Sequence, residues 1–122
     1  MPWLLDTNIL SEGRKPRPEP RVTAFYENQP LSQLYISVVS IAGDWLTLTL
    51  RPAFAGRILP VTEDILLKWR LLLEGGRKIG HTYSHPDLML AATALHHALT
   101  VGTRDRSEFD KARVPVLNPW EQ

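Results

Sequence analysis

Apolar positions along the chain come in short bursts, separated by capping residues, prolines and glycines. Pro2-Trp3-Leu4-Leu5 is a compact apolar run that ends abruptly at Asp6. Its length and its polar ending predict a buried strand. Ile9 to Glu12 predicts a short helix stopped by Gly13. The stretch that follows, Arg14-Lys15-Pro16-Arg17-Pro18-Glu19-Pro20, is stiff, basic and extended. Residues 19–28 put Val22, Phe25 and Tyr26 on one side of a second helix, which Asn28-Gln29-Pro30 ends. Leu34-Tyr35-Ile36-Ser37-Val38-Val39 is rich in β-branched and aromatic types and predicts the second strand. Residues 44–50 have room for about two helical turns before Pro52.

The second half repeats this alternation. Arg57 to Val61 predicts a short third strand. Thr62 is a good N-cap, with Glu63 and Asp64 in the favoured first turn of a helix expected to stop at Gly75-Gly76. Ser84-His85-Pro86-Asp87 has the form of a capping box and opens a helix to Leu99 that is apolar nearly all round. Its Ala91, Ala94 and Ala98 predict a small-residue face lying close to a sheet. Thr100 to Thr103 predicts a fourth strand. Val114-Pro115-Val116-Leu117 predicts a fifth, placed at an edge because of its proline. Strands alternating with helices imply an α/β domain with a mainly parallel sheet, and residues 1–122 read as one domain.

Composition narrows the chemistry. The chain has no cysteine, which excludes a disulfide framework, a thiolate zinc site and a thiol nucleophile. Its formal net charge of +1 excludes a uniformly basic coat, so contact with nucleic acid requires a local patch. The histidines at 81, 85, 96 and 97 lack an HExxH-like frame for zinc. No cationic segment precedes the first apolar run, and no uncharged run reaches the roughly 20 residues of a spanning helix. The expectation is a soluble, cytoplasmic protein without a membrane segment.

Three carboxylates fall at corresponding places. Asp6 follows the first strand, Asp105 follows the fourth, and Asp87 opens the helix that feeds the fourth. Strand ends of a parallel sheet share one edge, where ligands of open α/β sheets bind. Clustered carboxylates repel unless a cation joins them, and hard cations such as Mg²⁺ or Mn²⁺ prefer oxygen ligands. Structural roles compete with this reading, a cap for Asp87 and a turn for Asp105. Asp6 has less structural excuse, and Thr7 and Asn8 are placed to hold it by hydrogen bonds.

Leu4-Leu5-Asp6-Thr7-Asn8-Ile9-Leu10-Ser11-Glu12 resembles the opening of PIN-domain nucleases. Pro86 to Ala94 resembles their third acidic motif, and Leu99 to Asp105 their fourth. Phe54 to Val61 and the ending Val116-Leu117-Asn118-Pro119-Trp120 are similar to the VapC/FitB branch, the toxins of toxin–antitoxin pairs. The resemblance implies a three-layer domain with a small parallel sheet flanked by helices. It also implies an Mg²⁺-dependent (or Mn²⁺-dependent) ribonuclease site at Asp6, Asp87 and Asp105, an RNA substrate, an antitoxin partner and a homodimer.

One stretch departs from the pattern. Where such proteins carry a second acid in a Ser-x-x-x-Ala-Glu-like context, this chain has Ser37-Val38-Val39-Ser40-Ile41-Ala42-Gly43. Gly43 stands in place of the acid, the helical pair that normally follows is shortened, and Asp44 is a doubtful substitute one residue on. This raises a second reading, a catalytically weak domain that binds antitoxin or RNA. A haloacid-dehalogenase-type phosphatase is a poorer third, because Asn8 occupies the place of its second acid. Arg14, Lys15, Arg17 and Arg104 are candidate RNA-phosphate contacts, and Arg21, Arg106, Lys111 and Arg113 extend the two basic patches.

Overall fold

The computed structural model describes residues 2–41 and 50–121. Five strands form one sheet: β1 (Trp3–Leu5), β2 (Leu34–Ser37), β3 (Ile58–Leu59), β4 (Thr100–Gly102) and β5 (Val116–Leu117). Their order is β3-β2-β1-β4-β5 and every pairing is parallel. Parallel neighbours need crossovers, and five helices lie in three of the four connections. These are α1 (Thr7–Glu12), α2 (Pro20–Asn28), α3 (Glu63–Lys78), α4 (His85–His97) and α5 (Ser107–Lys111). Two apolar layers sandwich the sheet. One gathers Leu4, Leu88, Leu90, Ala91, Ala94, Val101 and Phe109. The other gathers Leu5, Ile9, Val22, Phe25, Leu34 and Ile36. Leu4 and Leu5 point to opposite layers because side chains alternate along a strand, so β1 is buried on both faces.

Several sequence expectations need correction. The second strand ends at Ser37, and Val38–Ile41 turns into a 3-10 helix. Of the helix expected over residues 44–50 only Leu50 lies within the described residues, and residues 50–53 are helical, through Pro52. α3 does not stop at Gly75-Gly76 but runs to Lys78. Gly76 is there for packing: a Cβ on it would lie 2.8 Å from both the His81 carbonyl oxygen and the Tyr83 ring. The chain instead turns at Gly80, whose φ of +71° suits glycine. Ser84 caps α4 by position but makes no side-chain bond to its backbone, so the predicted capping box is not closed. Ala98 is not on the small-residue face. It is the exposed left-handed C-cap of α4, with φ 56°. The edge position of β5 agrees with its proline.

Candidate active site

The strand order places a topological switch point between β1 and β4, since the chain winds outward from β1 in both directions. Leu5 pairs with Gly102, so the residues that follow, Asp6 and Thr103, emerge side by side at the middle of the sheet's C-terminal edge. The Asp6 backbone N–H donates to the Gly102 carbonyl at 2.9 Å, which extends the ladder one step and fixes the carboxylate over the switch point.

Asp6 is only 8% exposed and is held at both oxygens. The Thr7 backbone N–H donates to Oδ1 at 2.7 Å, as an N-cap contact with α1. The buried Thr103 hydroxyl donates to Oδ2, also at 2.7 Å. That hydroxyl accepts from Asn8 Nδ2 at 3.1 Å and from the Asp105 backbone N–H at 3.2 Å. Its single proton has two acceptors in reach, Asp6 Oδ2 at 2.7 Å and the Asp105 carbonyl oxygen at 3.4 Å, and the shorter contact favours Asp6. Asn8 completes the bracket by accepting from the Arg104 backbone N–H at 3.2 Å. Thr7 and Asn8 therefore position Asp6, one directly and the other through Thr103.

Burial pushes the Asp6 carboxyl above the ordinary aspartate range. The bonds from Thr103 and Thr7 oppose this, and repulsion from Asp87 and Asp105 adds to it. Asp87, the third residue of α4, is also pushed up, first by burial and then by the charges of Glu108 and Asp105, against a bond with the Ser84 side chain. Asp6, Asp87 and Asp105 thus lie within electrostatic reach of one another. Asp105 is the exposed member, and its Oδ1 accepts from Ser107 at the start of α5, from N–H at 3.3 Å and from the hydroxyl at 3.0 Å. The turn role considered for Asp105 is real.

Glu108 was missed by sequence reasoning. It lies one helical turn beyond Asp105, on α5, and that three-residue spacing was the available signal. It accepts from His81 Nε2 at 2.8 Å, while Lys111 Nζ lies 3.4 Å from Nδ1 of the same ring. Lysine can only donate, so Nδ1 accepts and the Nε2–H tautomer donates to Glu108. Among the described residues no group of three or more His, Asp or Glu side chains is arranged to hold a metal ion directly. The acids share an edge without closing a cage. Their donor set is entirely oxygen, which suits a hard cation that keeps several waters. Gly43 and Asp44 lie outside the described residues.

The basic candidates divide. Lys15, Arg17 and Arg104 line one cleft of about 520 Å³ together with Arg21 and Trp120, and Arg14 is not among its walls. Glu12 and Glu19 stand in the same cleft, paired with Lys15 at 2.9 Å and Arg21 at 2.8 Å. The Arg104 guanidinium lies 5.2 Å from the Trp120 ring centre, and the backbone on either side of Arg104 is held by Asn8 and Asn118. In the other patch, Arg106 is drawn to Asp110 and Glu121 and is committed to structure.

No protein-family profile matches the chain. Toxin FitB of Neisseria gonorrhoeae is 34% identical, with 96% of this chain and 97% of that protein covered. The chain belongs to the VapC/FitB branch of PIN-domain toxins. VapC ribonuclease Y4jK of Sinorhizobium fredii is 32% identical, with 97% of each protein covered. The plasmid stability protein StbB of Pseudomonas syringae pv. tomato is likewise 32% identical. The structure of FitAcB from Neisseria gonorrhoeae superposes with a TM-score of 0.88 at 32% identity, covering 98% of this chain and 99% of that one. VapBC2 from Rickettsia felis, bound to a promoter DNA fragment, shares the fold at a TM-score of 0.75 and 18% identity. The FitB alignment spans 135 positions, more than this chain has residues, so the relative carries residues that this chain lacks. No described helix is long and apolar enough to cross a membrane.

Proposed function

We propose that the chain is a divalent-metal-dependent endoribonuclease, the toxin of a toxin–antitoxin pair, built as one PIN domain over residues 1–122 and acting in the cytoplasm. The observation that carries this reading is the buried Asp6 carboxylate, gripped at both oxygens and repelled by Asp87 and Asp105. Such an arrangement costs stability in the empty protein, and a cation relieves it. Asp6, Asp87 and Asp105 would hold Mg²⁺ or Mn²⁺, in part through water, with Glu108 behind Asp87. When bound, the ion supplies charge stabilisation at a phosphodiester and a polarised water. The chain's own part is to favour the carboxylate form of Asp6 through Thr103 and to bind RNA phosphates with Lys15, Arg17 and Arg104. The relatives FitB and VapC support the toxin assignment. Structures named as FitAB and VapBC complexes support a cognate antitoxin as partner.

A second reading has one specific observation in its favour. The described acids form no direct metal cage, and Gly43 stands where an acid is expected. A weakly active or inactive domain that still binds antitoxin or RNA fits both facts. The test is Mn²⁺ titration by calorimetry, with Mg²⁺-dependent RNA cleavage measured alongside, on the wild type and Asp6→Asn. Metal binding and cleavage that both vanish in Asp6→Asn support the enzyme. Metal binding without cleavage supports the weak domain. No metal binding by the wild type refutes the site.

A further inference from the structure

The cations of the cleft beside the basic loop are not in one state. Lys15 and Arg21 are paired with Glu12 and Glu19. Arg17 and Arg104 line the same cleft and make no ion pair among the described residues. The Arg104 side chain makes no hydrogen bond there either, so its fork of N–H donors is open to a ligand.

Arg104 is nevertheless held in place. Its guanidinium lies over the Trp120 ring, 5.2 Å from the ring centre. A single buried residue, Asn118, ties the two together. Its Nδ2 donates to the Arg104 carbonyl at 3.0 Å, and its Oδ1 accepts from the Trp120 backbone N–H at 2.9 Å. On the other side, the Arg104 N–H donates to Asn8, which also bonds the Thr103 hydroxyl beneath Asp6. Trp120 rests on the apolar layer that contains Ile9 and Phe25, so the pair has a rigid floor. A phosphate contact needs only charge, which Arg17 offers without an aromatic partner. It does not need an indole under the cation, nor a buried asparagine that orients both.

We propose that Arg104 and Trp120 form a subsite for a single unpaired nucleobase of the RNA substrate, with the base lying on the open side of the Arg104 guanidinium. Indole, guanidinium and base then make one ladder, and Asn118 is its positioning residue. The guanidinium is planar and stacks on aromatic faces, and single-stranded RNA is bound through bases stacked on aromatic rings and arginine planes. The cleft of about 520 Å³ falls within the range of small-ligand sites, roughly 300–1,000 Å³, which suits a nucleotide and not a duplex. A paired base has no free face to offer, so the subsite selects unpaired RNA. The subsite rests on the ribonuclease reading and adds to it a contact beyond charge. Because Arg104 follows Thr103 and is bonded to Asn8, the base it takes lies beside the phosphate brought to Asp6.

The test is fluorescence anisotropy of the full chain in EDTA, which prevents metal-dependent cleavage, with circular dichroism confirming that each variant is folded. The probes are labelled hexa-adenosine and an abasic hexamer of equal charge. The wild type should bind hexa-adenosine about tenfold more tightly than the abasic strand. Arg104→Lys keeps the charge and removes the plane, so it should bring the two probes level while the salt dependence, which follows charge, stays the same. Trp120→Leu should also bring them level, and Trp120→Phe should keep most of the preference. Arg17→Gln should weaken both probes alike and flatten the salt dependence. A wild type that binds both probes equally overturns the subsite, as does an Arg104→Lys chain that keeps the preference. The ribonuclease reading falls on a different result, the absence of Mn²⁺ binding, which these metal-free measurements do not use. Unchanged RNA affinity in Arg104→Lys and Trp120→Leu, with weaker binding of the co-expressed antitoxin, assigns the pair to the protein partner and also overturns the subsite.

Discussion

The Thr103 hydroxyl donates to Asp6 Oδ2 across 2.7 Å, from the strand next to the one that Asp6 ends. The hydroxyl also accepts from Asn8 and Asp105, and Asp6 is a much closer acceptor for its proton than the Asp105 carbonyl at 3.4 Å. Thr103 thereby favours the carboxylate form of a residue that burial would neutralise. Thr103→Val keeps the shape and removes the donor. It should raise the Asp6 carboxyl further, weaken Mn²⁺ binding at neutral pH, and cost about 1–3 kcal/mol of stability. Thr103→Ser should retain most of both. Calorimetric Mn²⁺ titration of the two variants checks this, and equal Mn²⁺ affinity in both would remove the role given to Thr103.

Stability of the metal-free protein should fall as pH rises through the mildly acidic range. The sign follows from the raised carboxyls of Asp6 and Asp87. Between the unfolded value near 3.8 and the higher folded value, the folded state binds more protons, so raising pH favours unfolding. Below that window both states are protonated and the effect is absent. Asp6→Asn should flatten this slope and raise the melting temperature at neutral pH. Melting curves from pH 4 to 7.5 measure it, and a slope unchanged by the substitution would contradict the prediction.

Saturating Mn²⁺ should reverse that trend for the wild type, since the ion competes with protons for the same oxygens. Asp87→Asn should lose metal affinity while remaining folded. Asparagine is a fair residue in a capping position, so the stability change should stay near or below about 1 kcal/mol. A large fall in melting temperature with unchanged Mn²⁺ affinity would reduce Asp87 to a structural role.

Cleavage by the wild type should be weak, with partial recovery in Gly43→Glu, because Gly43 occupies the second acidic position of the family pattern. Loss of a ligand lowers the charge available for a second ion, which in-line phosphoryl chemistry often uses. RNA affinity should change less, as it rests on Lys and Arg. The assay is Mg²⁺-dependent RNA cleavage by the wild type, Gly43→Glu and Asp44→Asn. Strong wild-type activity lost in Asp44→Asn would hand the role to Asp44.

Gly76→Ala should destabilise the fold by about 1–3 kcal/mol, since its Cβ would press on the His81 carbonyl and the Tyr83 ring. Gly75→Ala, one residue away with open space above it, should not. Chemical denaturation of the two variants separates the positions.

Local chemistry determined much of this protein. The apolar run at residues 2–5 could only be buried, so β1 and the placement of Asp6 at its end were legible from a few residues. The alternation of strand-like and helix-like segments was enough for a parallel α/β sheet, and Pro115 was enough for an edge. The strings around Asp6, Asp87 and Asp105 were sufficient for the family. What the sequence could not decide were relations between distant residues. Gly75-Gly76 reads locally as a helix stop, and only the Tyr83 ring packed on Gly76 explains why α3 continues. Glu108 reads as a surface acid of a short helix until α5 is folded against α4 and its charge bears on Asp87. Thr103 reads as the last residue of a strand, and becomes a donor that favours the ionised form of Asp6 against burial only because β4 lies beside β1. Propensity and pattern act over a few residues. Carboxyl pKa values, close packing and charge coupling act through space, and depend on neighbours that only the folded chain brings together.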